Sequence, residues 1–136
     1  MENLIEIVYS GNLRTSSKHM LSNSSIITDA PLDNQGKGEA FSPTDLVASA
    51  LGSCMLTIMG IAAKTQNIDI DGAYVKIQKI MGEDPRKISK IILDFTFIKP
   101  LNAKSQKLLE RAAKHCPVSK SLDPNLEEII SFSYCD

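Results

Sequence analysis

Residues 42–65 have the sequence Ser-Pro-Thr-Asp-Leu-Val-Ala-Ser-Ala-Leu-Gly-Ser-Cys-Met-Leu-Thr-Ile-Met-Gly-Ile-Ala-Ala-Lys-Thr, and this stretch decides the fold. Ser42 is a favourable N-cap residue, Pro43 suits the first helical position, and Asp45 places a negative charge at the positive end of the helix dipole. No other charged residue occurs before the last turn. Because this helix is apolar on nearly every side, we predict that it is buried at the centre of the fold, with Cys54 at its middle. Its length alone would also allow it to cross a bilayer.

The bulk composition favours one soluble domain over residues 1–136 and excludes several classes of partner. The chain has 15 basic and 16 acidic residues and only 5% aromatic residues, so neither nucleic acid nor an acidic membrane surface is an expected partner. Glu2 and Glu6 interrupt the start of the chain, which therefore does not resemble a signal peptide. We expect a cytoplasmic protein, in which three cysteines are not a structural disulfide framework.

The chain before the helix predicts a meander of three antiparallel strands. Residues 3–10 alternate loosely between apolar and polar side chains, and Gly11-Asn12 is a turn signal. Residues 13–21 are polar for a strand but lie between two turns, and residues 25–29 are a short apolar strand. Residues 30–41 are rich in turn-forming residues and predict a loop that leads into the helix.

The chain after the helix predicts a long hairpin, a second helix and a last strand. Residues 67–81 and 88–98 alternate strongly and predict two antiparallel strands. Residues 103–115 have apolar residues on one helical face, residues 118–122 suit one further helical turn, and residues 128–134 close the chain as a strand. This order predicts an α+β fold of antiparallel sheets around a long buried helix. We also predict a dimer in which the long helices bury each other, because so apolar a helix needs more cover than one chain supplies.

The cysteines are the candidates for chemistry, although each has a simpler interpretation. Cys54 is equally typical of a small core residue, and Cys135 is expected to serve packing alone. Cys116 follows His115 at a helix boundary, where the N–H dipoles of the next helix and the nearby Lys120 would lower its pKa. Its simpler interpretation is a helix-capping residue without a further role.

The histidines and cysteines do not have the spacing of a metal site. Cys54, Cys116, His19 and His115 include no close Cys-x2-Cys or His-x3-His pair. We therefore expect no metal and no other cofactor. His115 is better explained as a cation at a helix C-terminus.

Two segments, residues 42–54 and residues 116–122 (Cys-Pro-Val-Ser-Lys-Ser-Leu), closely resemble the osmotically inducible protein C and organic hydroperoxide resistance (OsmC/Ohr) family. This resemblance implies an intertwined homodimer in which sheets from both subunits enclose two central helices. It also implies a thiol peroxidase that reduces organic hydroperoxides at the subunit interface. By the same resemblance, Cys54 is the peroxidatic cysteine, Cys116 is the resolving cysteine, and an external dithiol is the reductant.

A thiol among apolar side chains needs a nearby cation to stay ionised. Family peroxidases use an arginine of the N-terminal strand region, and Arg14 is the arginine in that region. The family commonly has a glutamate after the helix-opening proline, where it holds this arginine, but this chain has Thr44 there. Asp45 and Glu39 are the remaining candidates to orient Arg14.

Three hypotheses of function follow from these residues. The first is a peroxidase, with apolar helix residues such as Met55 favouring alkyl or acyl hydroperoxides. The second is a module that binds an apolar ligand between subunits, with cysteines that only pack. The third is a redox sensor that forms the same disulfide but turns over slowly. A low-pKa thiolate beside a resolving thiol has little use in a passive pocket, which favours the enzyme.

Overall fold

The computed structural model describes residues 3–135, in which the strands and helices follow the predicted order. One compact unit of the chain ends at Val47 and a second begins at Ala48, and each is described separately below. The single domain expected over residues 1–136 stays a prediction. The elements are β1 (Ile5–Gly11), β2 (Arg14–His19), β3 (Ser25–Asp29), α1 (Pro43–Thr65), β4 (Tyr74–Gly82), β5 (Lys87–Phe97), α2 (Ala103–Ala113), α3 (Pro117–Ser121) and β6 (Glu127–Tyr134), with a short 3-10 turn at Leu32–Asn34.

The first unit contains the predicted three-stranded antiparallel meander, in the order β1-β2-β3. Asn12 and Leu13 form the first turn with φ values of 54° and 63°, the left-handed conformation typical of two-residue hairpin loops. Arg14 therefore begins β2 directly after this turn. The β2–β3 register pairs Arg14 with Asp29, which places an arginine and an aspartate opposite each other on neighbouring strands.

The start of α1 is fixed by a reciprocal pair of hydrogen bonds, and the predicted N-cap is confirmed. The backbone N–H of Asp45 donates to Ser42 Oγ at 3.0 Å, and the backbone N–H of Ser42 donates to Asp45 Oδ2 at 2.9 Å. This is a capping box with aspartate at its third helical position. Pro43 occupies the first helical position, as predicted.

The second unit contains the sheet β4-β5-β6, with β5 at its centre. β4 and β5 form the predicted long antiparallel hairpin, although β4 begins at Tyr74 rather than at residue 67. β6 pairs with β5 in parallel, so this sheet is mixed rather than wholly antiparallel. The connection through α2 and α3 is long enough for the crossover that a parallel pair requires.

The core of the second unit lies between one face of α1, the inner side of β5 and α2. Gly52 of α1 allows a close approach to β4, because a Cβ atom there would lie 2.5 Å from Ile77 Cδ1. The fully or nearly fully buried apolar residues share this core: Ala48, Leu51, Met55, Met59 and Ala63 of α1, Ile91, Leu93, Phe95 and Phe97 of β5, Leu109 and Ala113 of α2, and Cys116.

In the chain by itself, α1 is buried along one face only. Ile61, on a different face, is 60% exposed, so the prediction of burial on nearly every side is wrong for a single chain. Length and composition would let this helix cross a membrane, but core helices of soluble proteins pass the same test. About a third of its apolar window (33%) is already buried within the protein.

Candidate active site

Cys54 and Cys116 are neighbours in the second unit. Cys54 lies at the middle of α1 and is partly buried, whereas Cys116 follows α2 and is completely buried at 0% exposure. Cys116 is close enough to Cys54 for the two side chains to interact electrostatically, and both cysteines are free thiols. Met55 faces the core at 1% exposure, and its expected influence on the choice of substrate stays a prediction.

Cys116 is placed by the start of α3. It is the N-cap residue of this short helix, and its Sγ accepts a hydrogen bond from the backbone N–H of Ser119 at 3.5 Å. Pro117 takes the first helical position, where the missing N–H is not needed. The sequence Cys-Pro-Val-Ser therefore holds the sulfur at the positive end of a helical turn.

The pKa of the Cys116 thiol is raised, and the sequence-based expectation of a lowered pKa is wrong. Burial is the largest cause, and the neighbouring Cys54 side chain raises the pKa further. The backbone N–H groups of Ser119 and Val118 act in the expected, opposite direction. Burial outweighs these dipoles, so at neutral pH Cys116 holds its proton.

A hydrogen bond between side chains fixes α3 to β6. Ser119 Oγ donates to Glu128 Oε2 at 2.7 Å, and both residues are half-buried. Ser119 thus contacts the sulfur of Cys116 through its backbone and Glu128 through its side chain. Sequence reasoning did not single out Glu128, because only the parallel placement of β6 brings it to α3.

Arg14 forms a bidentate ion pair with Asp29 in the first unit. Arg14 Nε donates to Asp29 Oδ1 at 2.6 Å, and Nη2 donates to Asp29 Oδ2 at 2.8 Å. Glu39, one of the two predicted orienting acids, reaches Nη2 with its Oε1 at 3.6 Å, and its backbone N–H donates to Asp29 Oδ2 at 3.0 Å. Asp45, the other predicted acid, closes the capping box of α1.

The ionisation of this pair is mutually stabilised. The hydrogen bonds to Asp29 raise the pKa of the Arg14 guanidinium above its ordinary value. The Arg14 guanidinium, helped by the backbone N–H of Glu39, holds the pKa of the Asp29 carboxyl below its ordinary value. Asp29 is only 3% exposed and Arg14 is half-buried, so this pair is better protected from solvent than an ordinary surface ion pair.

The signal that would have identified Asp29 is strand register. Residues 14 and 29 stand at equal distances from the centre of the turn that joins β2 to β3. Opposite charges at facing positions favour such a pairing, but the polar strand 13–21 did not fix the register from sequence alone.

No group of three or more metal-ligating side chains is found among residues 3–135. His115 is exposed, and His19 Nδ1 lies 2.6 Å from Ser22 Oγ.

A cavity of about 480 Å³ beside α2 is lined by three cations as well as by apolar groups. It lacks the uniformly apolar lining that the ligand-binding hypothesis requires. Its lining residues are Gln66, Ile68, Asn102, Lys104, Ser105, Lys107, Leu108 and Arg111.

The fold and the site define an α+β protein with two neighbouring cysteines, one on a long helix and one at the start of a short helix. The sequence profile described as OsmC-like protein matches residues 36–129, well over half of the chain. The chain belongs to the OsmC-like protein family.

Solved structures agree with this assignment. A Psychrobacter arcticus protein provisionally described as an osmotic stress induced and detoxification response protein is 48% identical, with a TM-score of 0.94 over 97% of this chain and 96% of that one. An organic hydroperoxide resistance protein OsmC from Legionella pneumophila has a TM-score of 0.73 at 16% identity, over 100% of this chain and 98% of that one. An OsmC-like protein from Mycoplasma pneumoniae has a TM-score of 0.80 at 16% identity, over 97% and 96%. The similarities to the Legionella and Mycoplasma proteins concern the fold alone. A comparison with curated proteins gave no match.

Proposed function

We propose that this protein is a thiol peroxidase that reduces organic hydroperoxides through Cys54, with Cys116 as the resolving cysteine. The observation that carries the proposal is the proximity of these two thiols, one on a partly exposed residue and one on a buried residue. The partly exposed residue suits reaction with a peroxide, whereas the buried one is protected from direct oxidation. This asymmetry matches the two roles.

The first step oxidises Cys54. Its thiolate attacks the terminal oxygen of R–O–OH, so that an S–O bond forms and the O–O bond breaks. The leaving alkoxide takes up a proton and departs as the alcohol, and Cys54 becomes a sulfenic acid. Because Cys116 holds its proton next to Cys54, it is a suitable donor for this transfer.

The second step forms the disulfide. The Cys116 sulfur, now a thiolate, attacks the sulfenic sulfur of Cys54, so that an S–S bond forms, the S–O bond breaks and water leaves after protonation. The N–H groups of Ser119 and Val118 stabilise negative charge on Cys116 during this step. An external dithiol then reduces the disulfide by thiol–disulfide exchange and becomes a disulfide itself. A reducing compartment, consistent with the expected cytoplasmic location, would keep both thiols available.

Arg14 is proposed as the cation that keeps the Cys54 thiolate charged. The support is its match to the family arginine together with its fixed geometry in the ion pair with Asp29. A guanidinium is always charged and presents several donors, so one edge can be held by a carboxylate while another meets an anion.

Organic hydroperoxides are proposed as substrates for two reasons. Cys54 lies on an apolar helix, next to the half-buried side chain of Ile58. A structural relative is named an organic hydroperoxide resistance protein, and this name is carried over to the present chain only as part of the proposal.

The same proposal includes a homodimer, because apolar groups of the single chain lack cover. β1 has apolar side chains exposed on both of its faces, and the residue before β1 and one residue of α1 are exposed as well. Exposure on this scale marks an interaction surface rather than a solvated one. The residues concerned, with their exposed fractions, are Leu4 62%, Ile5 53%, Ile7 61%, Val8 57%, Tyr9 65% and Ile61 60%.

Stopped-flow consumption of cumene hydroperoxide, compared with hydrogen peroxide, tests the proposal. The wild type should react much faster than a free thiol, and Cys54→Ser should abolish the reaction. A wild-type rate equal to that of free cysteine would reject the enzyme. Mass spectrometry after one equivalent of peroxide then separates a slow redox sensor, which gains the disulfide, from a ligand-binding module, which retains both thiols.

A further inference from the structure

The family glutamate that would hold the arginine is absent, because Thr44 stands at its position. We propose that Asp29, on strand β3, is the positioning residue that holds Arg14 for the reaction. This inference rests on the proposed function, since it concerns the cation assigned to the Cys54 thiolate. In this chain, the acid that orients the arginine would therefore lie on the strand next to Arg14 rather than at the start of a helix.

The geometry favours Asp29 over both acids that the sequence indicated. Asp29 is the direct cross-strand partner of Arg14 and binds it through two hydrogen bonds, at 2.6 and 2.8 Å. Two parallel bonds fix the plane of a guanidinium, which a single contact does not. Glu39 contacts one nitrogen at 3.6 Å and its side chain is 61% exposed, so solvent weakens its hold.

Asp29 is itself held in place. Its side chain is 3% exposed, and its Oδ2 accepts the backbone N–H of Glu39 from the following loop. The carboxylate therefore has a position set by two strands and a loop. Arg14, with a long and flexible side chain, takes its own position from that anchor.

In the described part of the chain, carboxylates bind only two of the three guanidinium nitrogens of Arg14. Asp29 binds Nε and Nη2, and Glu39 also approaches Nη2, so Nη1 has no hydrogen-bond partner among residues 3–135. Nη1 carries two N–H donors. These donors suit an anion, either a thiolate or the oxygen on which charge develops when the O–O bond breaks.

The charge of Asp29 allows its positioning role to be tested, because removing the carboxylate can either favour or disfavour a nearby thiolate. A carboxylate beside Arg14 neutralises part of its charge, so on electrostatic grounds alone its removal would favour a nearby thiolate. If Asp29 instead serves to position Arg14, its removal misplaces the guanidinium and disfavours that thiolate. The two roles therefore predict opposite changes.

The test compares Asp29→Asn with Asp69→Asn, which removes a carboxylate bound to Lys99 Nζ at the same 2.6 Å but in an exposed pair of the second unit. We expect Asp29→Asn to lower the second-order rate constant with cumene hydroperoxide at pH 7 about tenfold or more. Asp69→Asn should stay within about twofold of the wild type. A faster or unchanged Asp29→Asn would overturn the inference.

Two further measurements separate positioning from a general loss of structure and from failure of the peroxidase proposal. In an Arg14→Gln background, adding Asp29→Asn should cause no further loss, whereas another tenfold loss would show that Asp29 does not act through Arg14. The second measurement is the rate of iodoacetamide alkylation of Cys54 at pH 7 in a Cys116→Ser, Cys135→Ser protein, which needs no peroxidase activity. Asp29→Asn should lower this rate, and a higher or unchanged rate would reject the inference even if the wild type proves inactive toward peroxide.

Discussion

Cys116, fully buried at the N-cap of α3, lies beside Cys54 at the middle of α1. The two residues are far apart along the chain and come together because α2 returns the chain to the core that α1 shares with β5. The contact joins a protected sulfur to a partly exposed one.

Cys116 should titrate above an ordinary cysteine. In a Cys54→Ser, Cys135→Ser protein, burial still raises the pKa of Cys116, so its alkylation midpoint should lie above about 8.5, the value of a free cysteine. Because the folded state binds this proton more tightly than the unfolded state, its contribution to stability is present below about pH 8.5 and is lost at higher pH. Iodoacetamide kinetics from pH 6 to 10 measure the midpoint, and a value below 8.5 would contradict the burial argument.

Ser119→Ala should slow disulfide formation without slowing the first oxidation. The substitution removes the 2.7 Å bond to Glu128 but keeps the backbone N–H that contacts Cys116. Losing this hydrogen bond costs about 1 kcal/mol. That cost corresponds to about a fivefold slower formation of the disulfide. Dimedone trapping of the sulfenic acid measures its lifetime.

The matched control for Ser119→Ala is Ser121→Ala in the same helix. Ser121 Oγ donates to Pro117 O at 2.8 Å and does not tie α3 to β6. Equal effects of the two substitutions would show that the contact with Glu128 does not place Cys116.

The ion pair of Asp29 should contribute to acid stability. The folded-state pKa of Asp29 is lowered mainly by its hydrogen bonds to Arg14, so its stabilising effect is present above its unfolded value of about 3.9 and is lost as the pH falls through the lower folded value. The stability difference between wild type and Asp29→Asn should therefore be largest above about pH 5 and shrink toward pH 2. Urea unfolding across this range measures it, and a difference that grows on acidification would contradict the pairing.

Ile61→Glu should weaken the proposed dimer while leaving the fold of each chain intact. Ile61 is 60% exposed in the single chain, so a charge there costs little unless a second subunit covers it. Sedimentation velocity should show a shift toward monomer, and Lys107→Glu on the exposed face of α2 should leave the dimer unchanged. An unaltered distribution for Ile61→Glu would place the interface elsewhere.

The elements set by local chemistry were predictable from sequence. Ser42, Pro43 and Asp45 indicated the start of α1, and the structure has it there with a capping box. Alternating apolar residues also indicated the N-terminal meander and the hairpin of β4 and β5. Neighbours in sequence carry these signals, so no distant contact was needed to find them.

The features that sequence missed depend on distant contacts. The parallel pairing of β6 depends on how α2 crosses the sheet, and the raised pKa of Cys116 depends on the core that buries it. Asp29 became visible as the partner of Arg14 only when the β2–β3 register was known. In each case the deciding neighbour lies outside the local pattern.

The identity of the oxidised bond tests the central claim most directly. Purified protein treated with one equivalent of cumene hydroperoxide, alkylated and digested, should yield a peptide pair joined through Cys54 and Cys116, with Cys135 alkylated. The same treatment of Cys116→Ser should yield a sulfenic acid on Cys54. Intact thiols at both positions, or a disulfide through Cys135, would contradict the account.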